Sequence, residues 1–159
     1  MTRIRRSRLI TLSALTLSVL MASIALGSGS AAAAGLGDYR WTHRPLLLFA
    51  ATDSEPQLVE TLGRIDASRC EFVGRDMVLG VVVTEGTSTL DGRILNADEA
   101  QRLWDQYGID GNAFTALLIG KDGGEKRRVT GVPDLSAIYA LIDGMPMRSR
   151  EITADPSQC

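Results

Sequence analysis

The chain has 159 residues, 5% of them aromatic, and a formal net charge of −2 at neutral pH. Four of its 17 basic residues and none of its 19 acidic ones lie within residues 1–8, so the rest of the chain carries a net charge of −6. This acidic balance excludes nucleic acid and anionic membrane surfaces as partners, because binding to phosphate requires clustered Lys and Arg.

The N-terminus has the three parts of a secretory signal peptide. A basic start is followed by an uncharged stretch, residues 9–37, whose apolar part spans residues 9–26 and whose exit is rich in Gly, Ser and Ala. Cleavage after Ala32, Ala33 or Ala34 fits this exit. An uncleaved anchor is the alternative, because the apolar part is close to the roughly 18–20 residues that span a bilayer. We expect a signal peptide at residues 1–34 and an exported protein, periplasmic or secreted, without membrane association after cleavage.

The next elements form a strand–helix–strand unit. The apolar run from Arg44 to Ala51 predicts a strand buried on both faces. Ser54 as a cap and Pro56 in the first turn predict a helix to about residue 68, and residues 77–84 predict a second buried strand. Two strands joined by a helical crossover are expected to be parallel.

The second half predicts a helix, a hairpin and another helix. Asn96 and Glu99 match a capping box for a helix over residues 97–107, after a loop or short edge strand at residues 87–93. Residues 114–120 and 125–131 flank a glycine turn and predict a hairpin. The last helix, residues 135–142, is expected to end at Met145-Pro146. The order β-α-β-α-β-β-α predicts an α/β three-layer sandwich with a mixed sheet of about four strands. It occupies residues 35–151, followed by a tail at residues 152–159.

This order, together with residues 47–51, 107–119 and 121–123, resembles the thioredoxin fold. Shorter motifs more closely resemble the peroxiredoxin-like domain of unknown function called P-DUDES, which occurs in bacterial exported proteins and animal secreted sushi-repeat proteins. The motif residues are Arg75, Asp76, Lys121, Asp122, Gly123, Met145, Pro146, Met147 and Arg148, with Glu151 behind them. The resemblance implies a thioredoxin-like fold, export and no established activity.

The chain departs from thioredoxins where their chemistry resides. A thioredoxin thiol lies at the start of the first helix, where the helix N-terminus lowers its pKa. Here that turn reads Thr52-Asp53-Ser54-Glu55 and has no sulfur, and the loop at residues 112–115 has no proline. The sequence therefore excludes disulfide exchange by the thioredoxin mechanism.

The two cysteines, Cys70 and Cys159, are spaced neither as a zinc site nor as a redox pair. In an oxidising compartment they can form a disulfide that closes a long loop. The alternatives are a buried thiol at position 70 and a mobile one at position 159. Cys70 is also the weak candidate for a peroxidase nucleophile, with Arg69 or Arg75 lowering its pKa.

Other polar residues have simple structural explanations. His43, the lone histidine, has no neighbouring ligands, and Asp53 and Glu55 suit a helix start. Residues 126–128 with Lys121 form a basic hairpin, read as a solvated face or an anion-binding edge. Met145 and Met147 fill core gaps or form a docking surface, while Arg148 and Arg150 complement a helix end.

The sequence predicts neither a metal site nor a cofactor. We expect a non-catalytic binding or scaffold module of the cell envelope, whose partner is an unknown protein or small molecule. The alternative is a peroxiredoxin-like thiol oxidoreductase that uses Cys70.

Overall fold

The computed structural model describes residues 35–154, with side chains through Ile152. The predicted signal peptide and Cys159 lie outside these residues. After a short 3₁₀ turn at Leu36–Tyr39, the strands are β1 Arg44–Thr52, β2 Met77–Glu85, β3 Thr89–Leu90, β4 Arg93–Ile94, β5 Thr115–Ile119 and β6 Glu125–Thr130. The helices are α1 Pro56–Ala67, α2 Arg69–Val73, α3 Ala97–Tyr107, α4 Leu135–Asp143 and α5 Pro146–Ala154.

The strands form one mixed sheet in the order β4-β3-β2-β1-β5-β6. Strands β1 and β2 are parallel, as the helical crossover predicts, and β5 lies antiparallel to both β1 and β6. The sheet has six strands instead of the expected four or so, because the segment between β2 and α3 contributes two strands of two residues each. Both are too short to show an apolar alternation in the sequence.

The central strand β1 separates two apolar cores because its successive side chains point to opposite faces of the sheet. Leu46 and Leu48 pack with residues of α1, α2 and α4, whereas Leu47 and Phe49 pack with residues of α3. All four side chains are completely buried. Helices therefore cover both faces, which gives the predicted three-layer α/β sandwich.

Two helix boundaries differ from the sequence prediction. The N-cap of α1 is Glu55 and not Ser54, and no side chain caps the helix. Pro146 does not end the last helix but begins a further one, α5, after α4 has ended at Asp143. Proline fits the first position of a helix because the N–H that it lacks would have no partner there.

Within the described residues, no helix is both long enough and apolar enough to cross a membrane.

Candidate functional site

The topology brings distant segments together at the N-terminal end of β1. Strand β2 is parallel to β1 and places Met77 beside Arg44, so the preceding turn with Asp76 lies there too. Strand β5 runs the other way, so its C-terminal end and the following Lys121 reach the same edge of the sheet. Helix α5 supplies Glu151, whose carboxylate accepts hydrogen bonds from Arg44.

Seven charged side chains meet at this edge, and we call them the charged cluster: Arg44, Arg75, Asp76, Lys121, Asp143, Arg148 and Glu151.

Arg44 and Glu151 form the centre of the charged cluster. The guanidinium donates from both terminal nitrogens to the two carboxylate oxygens, at 3.0 Å each, a bidentate geometry that fixes both groups. Arg44 is only 1% exposed, and its backbone N–H and a terminal nitrogen also donate to the carbonyls of Asp76 and Arg75, at 2.7 and 2.9 Å. Arg44 thus ties α5 and the turn before β2 to the first strand.

The ammonium group of Lys121 lies between the carboxylates of Asp76 and Glu151. Its ammonium lies 2.7 Å from an oxygen of Asp76 and 2.8 Å from an oxygen of Glu151, and its side chain is 8% exposed. Asp76 has a left-handed backbone with φ of 51°, which Asp tolerates better than most residues. A buried lysine between two carboxylates satisfies the rule that buried charges are paired.

The surroundings of Glu151 shift its titration strongly. Burial of the carboxyl group raises its pKa, but hydrogen bonds from Arg44 and Lys121 and their positive charges outweigh that effect. The pKa of Glu151 is therefore lowered to about 2. The carboxylate stays ionised at every physiological pH.

Two arginines extend the cluster towards α4. Arg75 donates to both oxygens of Asp143, at 3.0 and 2.6 Å, and stacks on the Tyr139 ring at 4.9 Å. Arg148 lies 3.4 Å from Asp143 and 3.6 Å from Glu151. Arg148 lies in the first turn of α5, beside the C-terminal end of α4. The sequence instead predicted that it follows the last helix.

A small cavity of about 100 Å³ adjoins the cluster between the β5–β6 turn and the start of α5. Three cationic side chains and the Asp122 carboxylate contribute to its walls, which are formed by Arg44, Gly120, Lys121, Asp122, Lys126, Met145, Pro146 and Met147. Asp122 accepts a 2.6 Å hydrogen bond from Lys126, which lowers its pKa together with a bond from the Gly124 backbone. Gly123 adopts φ of +83° in this turn, as glycine does readily.

The start of α1, where thioredoxins carry their thiol, lies at the other end of β1. Eight residue steps separate Arg44 from Thr52, about 26 Å along the strand. There the Glu55 carboxylate accepts the backbone N–H of Ala51 at 2.9 Å, and Ser54 lies 3.2 Å from the Thr52 hydroxyl. The Glu55 carboxylate therefore lies at the start of the helix, where the thioredoxin mechanism would need a cysteine thiol.

Cys70 comes fifteen residues after Glu55 and is exposed on the short helix α2. Cys70 is disulfide-bonded; its predicted partner Cys159 lies outside the described residues, so the Cys70–Cys159 pairing stays a prediction. The guanidinium of Arg75, proposed to activate Cys70, is engaged with Asp143 and with the backbone carbonyl of Glu71 at 2.9 Å.

The remaining candidates stay apart from the cluster. His43 contacts the Thr42 hydroxyl at 3.0 Å and the edge of the Tyr39 ring. Arg128 pairs with Glu125 on the exposed edge strand β6, and Arg150 is exposed on α5. Among the described residues, no group of three or more His, Cys, Asp or Glu side chains could hold a metal ion.

A larger cleft of about 700 Å³ lies between the end of β2 and α3. Three of its polar side chains are engaged within the fold: Asn96 caps α3, and Gln101 donates to Asp105 at 2.9 Å. The cleft therefore offers less charge and fewer available groups than the edge that carries the motif residues.

Sequence reasoning found most of the cluster through the motif residues but missed Arg44 as a site residue. The available signal was an arginine placed directly before a wholly apolar strand. A charge in that position needs a carboxylate partner, and Glu151 follows the closing motif.

Comparisons with known proteins agree with this architecture. The family model "Domain of unknown function (DUF4174)" matches residues 35–151. The chain is also similar to coiled-coil domain-containing protein 80 of Danio rerio, with 25% identity over 138 residues, which is 77% of this chain and 16% of that protein. The chain thus spans about a sixth of that relative's length.

Two solved peroxiredoxins have a similar fold. Reduced 2-Cys peroxiredoxin of Plasmodium vivax superposes with a TM-score of 0.54 at 15% identity, over 72% of this chain and 84% of that one. The mitochondrial 2-Cys peroxiredoxin of Plasmodium falciparum gives a TM-score of 0.51 at 13% identity, over 78% and 85% of the two chains. These likenesses show the thioredoxin-like fold and leave the chemistry open.

Proposed function

The chain belongs to the DUF4174 family, and from that premise we propose that it is an exported, non-catalytic binding module of the cell envelope. In this proposal it uses a peroxiredoxin-like fold without thiol chemistry. Its binding surface is the edge of the sheet that carries the charged cluster. The first thirty-four residues act as the export signal.

The observation that carries the proposal is the start of α1. A redox thioredoxin fold needs a thiolate there, stabilised by the helix N-terminus. Here Glu55 bonds to the Ala51 backbone at that point, and Asp53 lies two residues before it. Two carboxylates would repel both a thiolate and a peroxide anion, which favours binding over peroxide chemistry.

The placement of the motif residues supports the same conclusion. The family motif converges at the opposite end of β1, where Glu151 and Lys121 are held in paired contacts. Such a rigid, charged edge suits recognition of a ligand more than proton transfer, because a carboxyl with a pKa of about 2 cannot act as a base or acid near neutral pH.

The test is consumption of hydrogen peroxide by the purified protein in the presence of a thiol reductant. We expect no turnover above that of a Cys70→Ser variant, with Cys159→Ser as the matched control for loss of a cysteine. If the unaltered chain and Cys159→Ser both consume peroxide while Cys70→Ser does not, the peroxidase alternative replaces the binding module.

A further inference from the structure

The cavity beside the charged cluster has the size of a small polar group. Its volume is about 100 Å³, several times the space that one water molecule needs. The cavity therefore admits a group of a few heavy atoms, such as a phosphate or an acetate.

The side chains around this cavity carry a surplus of positive charge. Five cationic groups belong to the cluster and the adjoining Lys126–Asp122 pair, against four carboxylates; the cations are Arg44, Arg75, Lys121, Lys126 and Arg148, and the acids are Asp76, Asp122, Asp143 and Glu151. The remaining positive charge would be balanced by one bound anion. Moreover, the Nε of Arg44 is a buried donor for which the described residues provide no hydrogen-bond partner.

The start of α5 adds a second attraction for an anion. Met145, Pro146 and Met147 form one wall of the cavity, and α5 is nine residues long. In the first turn of α5, Pro146 has no N–H and the Arg148 N–H donates to the Met145 carbonyl at 3.0 Å. The Met147 N–H is therefore the donor that this turn leaves for a ligand, beside the partial positive charge of the helix N-terminus. Anions bind readily at such a place.

Gly120 keeps the opposite wall open. A Cβ at this position would collide with the Lys126 side chain and come within 2.8 Å of an Asp122 oxygen. The absence of a side chain lets Lys126 lie over the cavity, where it is 31% exposed and pairs with Asp122. Of the three cations that line the cavity, Lys126 is thus the one with the most freedom to exchange its partner.

We propose that this cavity binds a small oxyanion, a phosphate or a carboxylate group, between Lys126, Lys121 and the start of α5. The anion displaces the Asp122 carboxylate from Lys126, so Asp122 is its internal competitor. This inference gives a ligand class to the binding module and therefore rests on the proposed function.

The test uses sodium phosphate and sodium acetate as probes, titrated into the purified chain by calorimetry at low, constant ionic strength with chloride as the balancing anion. We expect saturable binding of one anion per chain. Lys126→Gln should weaken it at least fivefold, and Asp122→Asn should strengthen it, because the competing carboxylate is removed. Phosphate alone binding assigns the cavity to phosphoryl groups; acetate alone binding assigns it to carboxylates.

Arg127→Gln is the matched control. It removes the same charge from the neighbouring residue of β6, which is not part of the cavity lining, and should leave the affinity unchanged. Thermal unfolding of each variant verifies the fold. The oxyanion site is overturned if Lys126→Gln and Arg127→Gln weaken anion binding equally. It is also overturned if neither the unaltered chain nor Asp122→Asn binds an anion. Either result leaves the outcome of the peroxide test unchanged. Peroxide turnover, in contrast, would contradict the proposed non-catalytic function without testing whether the cavity binds an anion.

Discussion

Arg44 shows at the residue scale why the charged cluster has to be complete. A buried guanidinium is tolerated only when carboxylates and carbonyls satisfy it. Here Glu151 takes both terminal nitrogens, while carbonyls of the turn before β2 take further donors. Removing one partner leaves a buried charge without compensation, which costs more than the pair itself contributes.

Glu151→Gln tests this cost. The variant keeps the shape of the side chain but removes the charge facing Arg44 and Lys121, so the free energy of unfolding should fall by about 2–4 kcal/mol. Urea unfolding followed by circular dichroism measures it. Glu60→Gln is the control: it breaks an exposed pair with Arg64, about half exposed on both sides, and should change stability by less than about 0.5 kcal/mol. Equal effects of the two variants would contradict a structural role for Glu151.

The lowered pKa of Glu151 predicts an acid-dependent loss of stability. Its pKa falls from the ordinary 4.5 to about 2 in the folded protein, so the unfolded chain binds the proton first. The stabilisation is complete above about pH 4.5 and is lost as pH falls towards 2. Unfolding free energies at pH 6, 4, 3 and 2 should therefore converge for the unaltered chain and Glu151→Gln. A gap that is the same at pH 2 as at pH 6 would contradict this assignment.

At the scale of elements, the sequence predicted helices best where polar end signals were present. Asn96 and Glu99 form the predicted capping box, with bonds of 2.8 and 2.9 Å, and Gly108 closes α3 in a left-handed conformation. The prediction that Ser54 caps α1 was wrong. A serine just before Glu-Pro is typical of an N-cap, but the N-cap of α1 lies one residue later, at Glu55. The separate helix α5 was missed because Pro146 signals both an end and a beginning.

This contrast gives a prediction about helix ends. Asn96→Ala should lower the free energy of unfolding by about 1 kcal/mol, since the Glu99 N–H loses its acceptor. Ser54→Ala should change it by less than about 0.5 kcal/mol, because the Ser54 hydroxyl contacts Thr52 and not a helix N–H. Chemical denaturation of both variants decides the matter. A loss at Ser54→Ala as large as at Asn96→Ala would restore Ser54 as the cap.

At the scale of the whole molecule, the fold class followed from the order of elements, but the charged cluster did not. Apolar runs and helix signals are local, so the sequence predicts the α/β sandwich from neighbouring residues. The pairs of the cluster join residues 44 and 151, 76 and 121, and 75 and 143. No local pattern specifies such partners. The motif resemblance gathered several of these residues into one set without saying what they contact.

These long-range pairs make α5 part of the cooperative fold, which two truncations can test. A chain ending at Gly144 loses α5 and leaves Arg44 and Lys121 without Glu151, while Arg75 keeps Asp143. We expect it to lose a cooperative unfolding transition or several kcal/mol of stability. A chain ending at Ile152 keeps the cluster and should stay within about 1 kcal/mol of the full chain, as termini contribute little unless they are tied down. Both are compared with the full chain in reductant, so that the predicted Cys70–Cys159 disulfide stabilises none of them. Equal stability of the two truncations would mean that α5 is an appendage and that the buried charges of β1 do not depend on it.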